Sequence, residues 1–250
     1  MSHALRHVHV EQVWGTVVSI DIRMHRTISE APVSATKEIV EWLHDVDQVF
    51  STYKSDSVIS QLRDGRLTRD EVDAGVTDVI NRCEEIKSKT EGIFDPWAVE
   101  GGFDPSGLVK GWAVDRAAII LEGLGFRDFM INAGGDISVR GESAPGEEWV
   151  IGITHPEIPK EIYTSIPLCD QAIATSAFYE RGNHVINPTG MRISASSATV
   201  IGPECATADA LATALLIAGV PGLQWLEHFP NYSGQVVTGK VVTSQGPSFN

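Results

Sequence analysis

Between residues 129 and 176 the chain breaks into short β-prone runs, and helical periodicity appears only before and after them. The runs are 129–132, 136–140, 149–154, 163–168 and 172–176, each bounded by Gly, Pro or Asp. Alternating strands and helices would predict parallel βαβ units; segregated ones predict α+β, with a mixed or antiparallel sheet flanked by helices. Upstream, residues 13–23 read as one strand, 34–49, 57–62 and 72–89 as helices, and 92–107 as a Gly/Pro-rich loop. Downstream follow a strand at 196–201, helices at 205–218 and 223–229, and a hairpin over 235–243 turning at Thr238-Gly239. No repeat or low-complexity linker divides the chain, so residues 1–250 are read as a single domain.

The bulk chemistry narrows the partners. Nineteen basic against thirty-three acidic residues leave a net charge of −14, which disfavours nucleic acid and anionic membrane. Hydrophobic content of 42% is that of a globular chain with a real core. No run approaches the roughly 18 apolar residues of a membrane span, so no membrane insertion is expected. Cys83, Cys169 and Cys205 are widely spaced and form no C-x-x-C pair, so free thiols are expected. The first ten residues have no apolar h-region, and the cytoplasm is the expected compartment.

Residues 104–116 put an acid, a helix start and a lysine within two turns. Pro105, Ser106 and Gly107 suggest a turn and N-cap, with Leu108, Trp112 and Ile119 at helical spacing. A helix N-terminus carries unpaired N–H groups and partial positive charge, so Lys110 there would sharpen an anion site suited to phosphate. An ordinary capped helix with a solvated lysine is the other reading. A P-loop is excluded: Gly102 and Gly107 have its spacing, but Leu108 stands where lysine is required and no Ser/Thr follows Lys110. Gly134-Gly135-Asp136 lacks the dinucleotide G-x-G-x-x-G spacing as well.

Asp209 and Thr213 lie four residues apart in an alanine-rich helix, which stacks a carboxylate and a hydroxyl on one face. Both are hard oxygen donors suited to Mg²⁺, although a dipole-complementing Asp and a back-bonded Thr would look the same. His184 lies between polar neighbours, where it could accept a proton from a hydroxyl nucleophile or serve structure alone. Trp14, Tyr53 and Phe94 are aromatic residues beside turns, placed either to stack a planar ring or to pack.

Taken in order, these segments resemble the ApbE family of flavin transferases over most of the chain. The matching segments are Trp14-Gly-Thr-Val-Val-Ser, Phe50-Ser-Thr-Tyr with Ser57, Gly92-Ile-Phe-Asp-Pro, Asp104 to Arg116, and Ile131-Asn-Ala-Gly-Gly-Asp-Ile. Ala174-Thr-Ser with Tyr179-Glu-Arg-Gly, His184-Val-Ile-Asn-Pro-Thr-Gly and Ala208-Asp-Ala-Leu-Ala-Thr-Ala-Leu complete the set. The resemblance implies a T-fold-related α+β architecture and Mg²⁺-dependent transfer of FMN from FAD to a Thr/Ser hydroxyl of a target protein, with release of AMP. By that resemblance Asp209, Thr213 and the Gly107 carbonyl bind the metal. Trp14, Tyr53, Ile93, Phe94, Asp95, Asp104, Lys110 and Ile186 hold the FAD, and His184 activates the acceptor. The chain departs from the family pattern in having only residues 97–103 between the G-x-F-D-P segment and Asp104, and in Asn187 and Val109. Hydrolysis of FAD to FMN and AMP, and flavin binding without catalysis, are the alternatives.

Overall fold

The computed structural model describes residues 5–24, 31–158, 161–177, 193 and 195–249. Among them, strands β1 (Leu5–Val13), β2 (Thr16–Met24), β3 (Asp128–Ala133), β4 (Asp136–Arg140), β7 (Ala172–Ala177), β8 (Ser197–Gly202), β9 (Ser233–Thr238) and β10 (Val241–Gln245) form one sheet in that order. Every neighbouring pair is antiparallel. The remaining strands, β5 (Trp149–Thr154) and β6 (Ile162–Leu168), form a separate hairpin. The expected α+β class with an antiparallel sheet flanked by helices is the architecture observed.

Helices α1 (Ala31–Phe50), α2 (Val58–Arg63), α3 (Ala74–Lys89), α4 (Ser106–Gly123) and α5 (Cys205–Ala218) carry the rest. The main core lies between the sheet and α1, α3, α4 and α5, built on Ile20, Phe129, Ile131, Leu108, Val114 and Leu211. A second core lies on the opposite sheet face, where Trp149, Ile151, Ile153 and Leu168 of the hairpin cover Ile137, Val139, Ile173 and Ile201. With both faces covered, β8 is buried along its whole length. That explains why its sequence reads as a continuous run and not as an alternation.

Two expectations are corrected. The single strand expected at 13–23 is a hairpin end: β1 closes at Val13, Trp14 and Gly15 turn with φ of +56° and +70°, and β2 begins at Thr16. A two-residue turn with both φ values positive is the type I′ geometry. Tryptophan there costs about 1–2 kcal/mol and is not the Asn or Asp that usually announces such a turn. The helix expected at 223–229 is a 3-10 segment over Val220–His228, with Pro221 near its start.

Candidate active site

The β1–β2 and β3–β4 turns meet at one end of the sheet, beside the start of α4. The β3–β4 turn is Gly134-Gly135, with φ of +61° and +102°. Asn132 steadies it by accepting the Gly135 N–H at 2.9 Å. An added Cβ on Gly134 would lie 2.5 Å from Thr16 Oγ1, so only glycine lets the two turns close up. Between these turns, the end of α1 and the first turns of α4 lies a cavity of about 800 Å³, lined by Trp14, Phe50, Tyr53, Ser106, Lys110 and Thr175 among others.

The Phe50-Ser-Thr-Tyr segment is a braced turn. Ser51 Oγ accepts the N–H groups of Tyr53 and Lys54, at 3.2 and 3.3 Å. Ser57 donates to the Ser51 carbonyl at 2.6 Å and caps α2 by accepting the Ser60 N–H at 3.0 Å. That bracing holds Tyr53 out at the cavity mouth, 95% exposed, while Phe50 packs inward against Trp112 with ring centroids 5.4 Å apart.

At the start of α4 the capping group is not the one the sequence suggested. Pro105 occupies the cap position without a side-chain bond, and Asp104 Oδ1 accepts the Ser106 N–H at 2.9 Å. The physical reason is that Pro105 lacks a polar side chain, so the carboxylate one residue earlier reaches over it. Lys110 is not a solvated lysine: its ammonium pairs with Asp136, the first residue of β4, whose side chain is 1% exposed.

Helices α4 and α5 cross along a register of four. Gly107, Gly111 and Asp115 share one face of α4, while Cys205, Asp209 and Thr213 share one face of α5. At one end Asp115 accepts the N–H groups of Cys205 and Ala206, at 2.8 and 2.9 Å, and so caps α5 from outside. In the middle, a Cβ on Gly111 would sit 2.5 Å from the Cys205 carbonyl oxygen, so glycine sets the interhelix distance. At the other end, a Cβ on Gly107 would lie 4.0 Å from Thr213 Oγ1 and 3.2 Å from the Phe94 ring. Thr213 also bonds Ser176 of β7 at 3.2 Å. Asp209 is fully buried in this seam, at 0% exposure. Burial lifts the Cys205 thiol well above its ordinary pKa; the carboxylates of Asp115, Asp136 and Asp209 add to the rise and Lys110 opposes it.

Burial also pushes the Asp115 carboxyl up to about 6, against the pull of its two N–H donors. A carboxyl raised in the folded state binds protons there that the unfolded chain releases, so its contribution to stability is lost as pH rises from about 4 to about 6. Asp115→Asn keeps an acceptor for α5 and removes that titration. The melting temperature of this variant should depend less on pH across that window than the parent's, and an unchanged pH profile would refute the assignment.

The structure thus brings Trp14, Tyr53 and Lys110 to one cavity, and Gly107, Asp209 and Thr213 to the adjoining seam. Ile93, Phe94, Asp95 and Asp104 are not among its lining residues. Phe94 backs Gly107, and Asp95 is held by Lys87 at 2.8 Å and accepts the Trp97 N–H at 3.0 Å. His184 and Ile186 lie outside the described residues. Sequence reasoning missed Asp136, Asp115, Gly111 and Ser176. Each sits inside or beside a quoted segment, but its partner lies far away in the chain.

A carboxylate (Asp209), a hydroxyl (Thr213) and a backbone carbonyl (Gly107) are hard oxygen donors, and that donor set suits Mg²⁺ chemically. Among the described residues no three His, Cys, Asp or Glu side chains cluster as a metal site, so such an ion would rest on one carboxylate plus neutral oxygens. No described helix is long and apolar enough to cross a membrane.

A protein of Vibrio cholerae named FAD:protein FMN transferase is 37% identical over 128 residues, covering 46% of this chain and 38% of that protein. The chain therefore spans less than two thirds of that relative in the matched region. A Haemophilus influenzae protein of the same name is 26% identical over 271 residues, covering 82% of this chain and 78% of its own length. Among solved structures, the flavin transferase ApbE from Vibrio cholerae superposes with a TM-score of 0.84 at 23% identity over 98% of both chains. The ApbE protein of Thermotoga maritima gives 0.83 at 23% identity over 96% of both. The ApbE family model matches residues 14–101 and 100–234, so this chain belongs to the ApbE family.

Proposed function

We propose that this protein, as a single domain over residues 1–250, is a Mg²⁺-dependent FAD:protein FMN transferase. FMN passes from FAD to a Thr or Ser hydroxyl of a target protein, and AMP leaves. One observation carries the reading: the Lys110–Asp136 pair and the Gly107–Asp209–Thr213 seam adjoin one cavity of about 800 Å³. That volume lies within the roughly 300–1,000 Å³ of small-molecule sites.

Asp209, Thr213 and the Gly107 carbonyl would hold the Mg²⁺, which when bound polarises phosphoryl oxygens and neutralises charge. Lys110, kept in place by buried Asp136, faces the charge that builds on the pyrophosphate as its P–O bond breaks. Trp14 and Tyr53 offer aromatic faces to the planar rings of FAD. Phe94 supports the start of α4 from behind, Asp95 and Asp104 fix the two ends of the intervening loop, and Ile93 is assigned to the FAD by family resemblance. Ile186 completes the FAD contacts by family resemblance. In the transfer, the acceptor oxygen bonds to the FMN-side phosphorus, the P–O bond to AMP breaks, and His184 takes the hydroxyl proton. The partners are thus FAD and a protein acceptor, with no role for nucleic acid given the net charge of −14. The three free cysteines fit a reducing, cytoplasmic setting.

The test is incubation of the protein with FAD, Mg²⁺ and a lysate of its host, followed by denaturing gel fluorescence and mass spectrometry. A protein band carrying covalent FMN, with AMP released in equal amount, is the expected result. Free FMN and AMP without any labelled protein would make water the acceptor and replace transferase by hydrolase. No FAD turnover at all would leave a binding protein.

A further inference from the structure

Among the described residues strand β1 is an edge of the sheet, and its sequence offers little to blunt it beyond the charges of Arg6 and Glu11. It runs for nine residues in unbroken register with β2, without Pro, Lys or bulge. Proteins usually protect such an edge with one of those devices, because its open N–H and C=O groups template another strand. The opposite edge, β10, is only five residues long.

The direction of those open groups follows from the turn. In a two-residue hairpin the closing pair, here Val13 and Thr16, exchanges both hydrogen bonds, and every second pair repeats this. Leu5, His7, His9, Glu11 and Val13 therefore spend their backbone groups on β2. Arg6, Val8, Val10 and Gln12 direct theirs at the open edge. Val8 and Val10 are also exposed, at 45% and 58%, and Val17 beside them at 47%.

We propose that β1 pairs antiparallel with β1 of a second copy of this chain, centred on His9, joining two eight-stranded sheets into one. The sequence Leu-Arg-His-Val-His-Val-Glu-Gln-Val is self-complementary about that centre. Val8 faces Val10 of the other copy, Arg6 faces Gln12, Leu5 faces Val13, and His7 faces Glu11. The valine and Arg–Gln pairs join residues whose backbone groups all point outward, so each exchanges two hydrogen bonds across the two-fold axis. Centring the two-fold axis on Val8 or on Val10 instead leaves one valine pair, that residue against itself, in place of two, and sets Val10 against Arg6 or Val8 against Gln12. Like-for-like valine contact and a histidine beside a carboxylate each favour cross-strand pairing. Charge does not oppose the contact: the whole chain carries −14, but β1 holds Arg6 and two histidines against Glu11 alone. Glu11 also bonds His9 at 3.3 Å and His44 at 3.0 Å within its own copy. The proposal does not depend on the transferase reading.

Light scattering coupled to size exclusion tests it on the full chain. The parent should elute at twice the mass of one chain, and Val8→Lys should halve that mass without changing the circular dichroism spectrum. Val10→Pro removes an outward N–H that β2 does not use, so it should act likewise. A crosslink fixes the register. In a Cys169→Ser background, His9→Cys sits opposite itself at a non-hydrogen-bonded pair, about 4.5 Å between Cα atoms, within disulfide reach. It should give a covalent dimer on mild oxidation, whereas Gln12→Cys, facing Arg6, should not. A monomeric parent, a dimer indifferent to Val8→Lys, or equal crosslinking of both cysteine variants would overturn the proposal.

Discussion

Asp209→Asn should lose at least about a hundredfold in FMN transfer, the scale at which one preorganised electrostatic group acts on a transition state. The fold should survive. Asp209 is at 0% exposure in the α4–α5 seam, and an amide of the same shape preserves the packing there. In EDTA the variant should still unfold in one cooperative transition. Adding Mg²⁺ should raise the parent's melting point and leave the variant's unmoved, because a ligand stabilises only the state that binds it, by about 2.7 kcal/mol at a hundred times its Kd. This comparison needs no turnover, so it isolates the metal assignment from the choice between protein and water as acceptor. An equal Mg²⁺ response in both proteins would remove Asp209 from the metal site.

Lys110→Met should be the most destabilising single change at the site. It takes the ammonium from Asp136, whose side chain is 1% exposed, and breaking one partner out of a buried ion pair costs about 3–5 kcal/mol. Adding Asp136→Asn should restore most of that stability, since neither charge then remains to be compensated. It should not restore transfer, because the pyrophosphate would still lack its cation. The double-mutant cycle thus separates the two roles of Lys110: urea melts report the pair, and KM for FAD against kcat reports the phosphate contact. Recovery of full activity in the double variant would show that Lys110 serves the fold alone.

How legible the site was depended on whether a residue's partner lay nearby in the chain. Asp209 and Thr213 are one helical turn apart, so their common face could be read from spacing. Lys110 could be placed in the first turns of a helix, but its pairing with Asp136 could not, because the two lie 26 positions apart with no periodicity linking them. The same holds for Asp115, whose carboxylate has its role only because α5 begins against it. Gly111 reads in sequence as a weak point in a helix. Only the approach of the Cys205 carbonyl gives it a purpose. The N-terminal strand was missed because its turn uses Trp14 at positive φ, which local turn chemistry does not favour.

By itself the sequence determined the α+β class, the order of most elements and the resemblance that names the family, because these rest on local periodicity and on motifs in register. Tertiary structure alone decided that α4 and α5 meet through Gly111, that Lys110 is ion-paired, and that β1 is an edge among the described strands. Packing distance, burial and strand order are set by contacts between distant segments, and chain-local propensity carries no record of them.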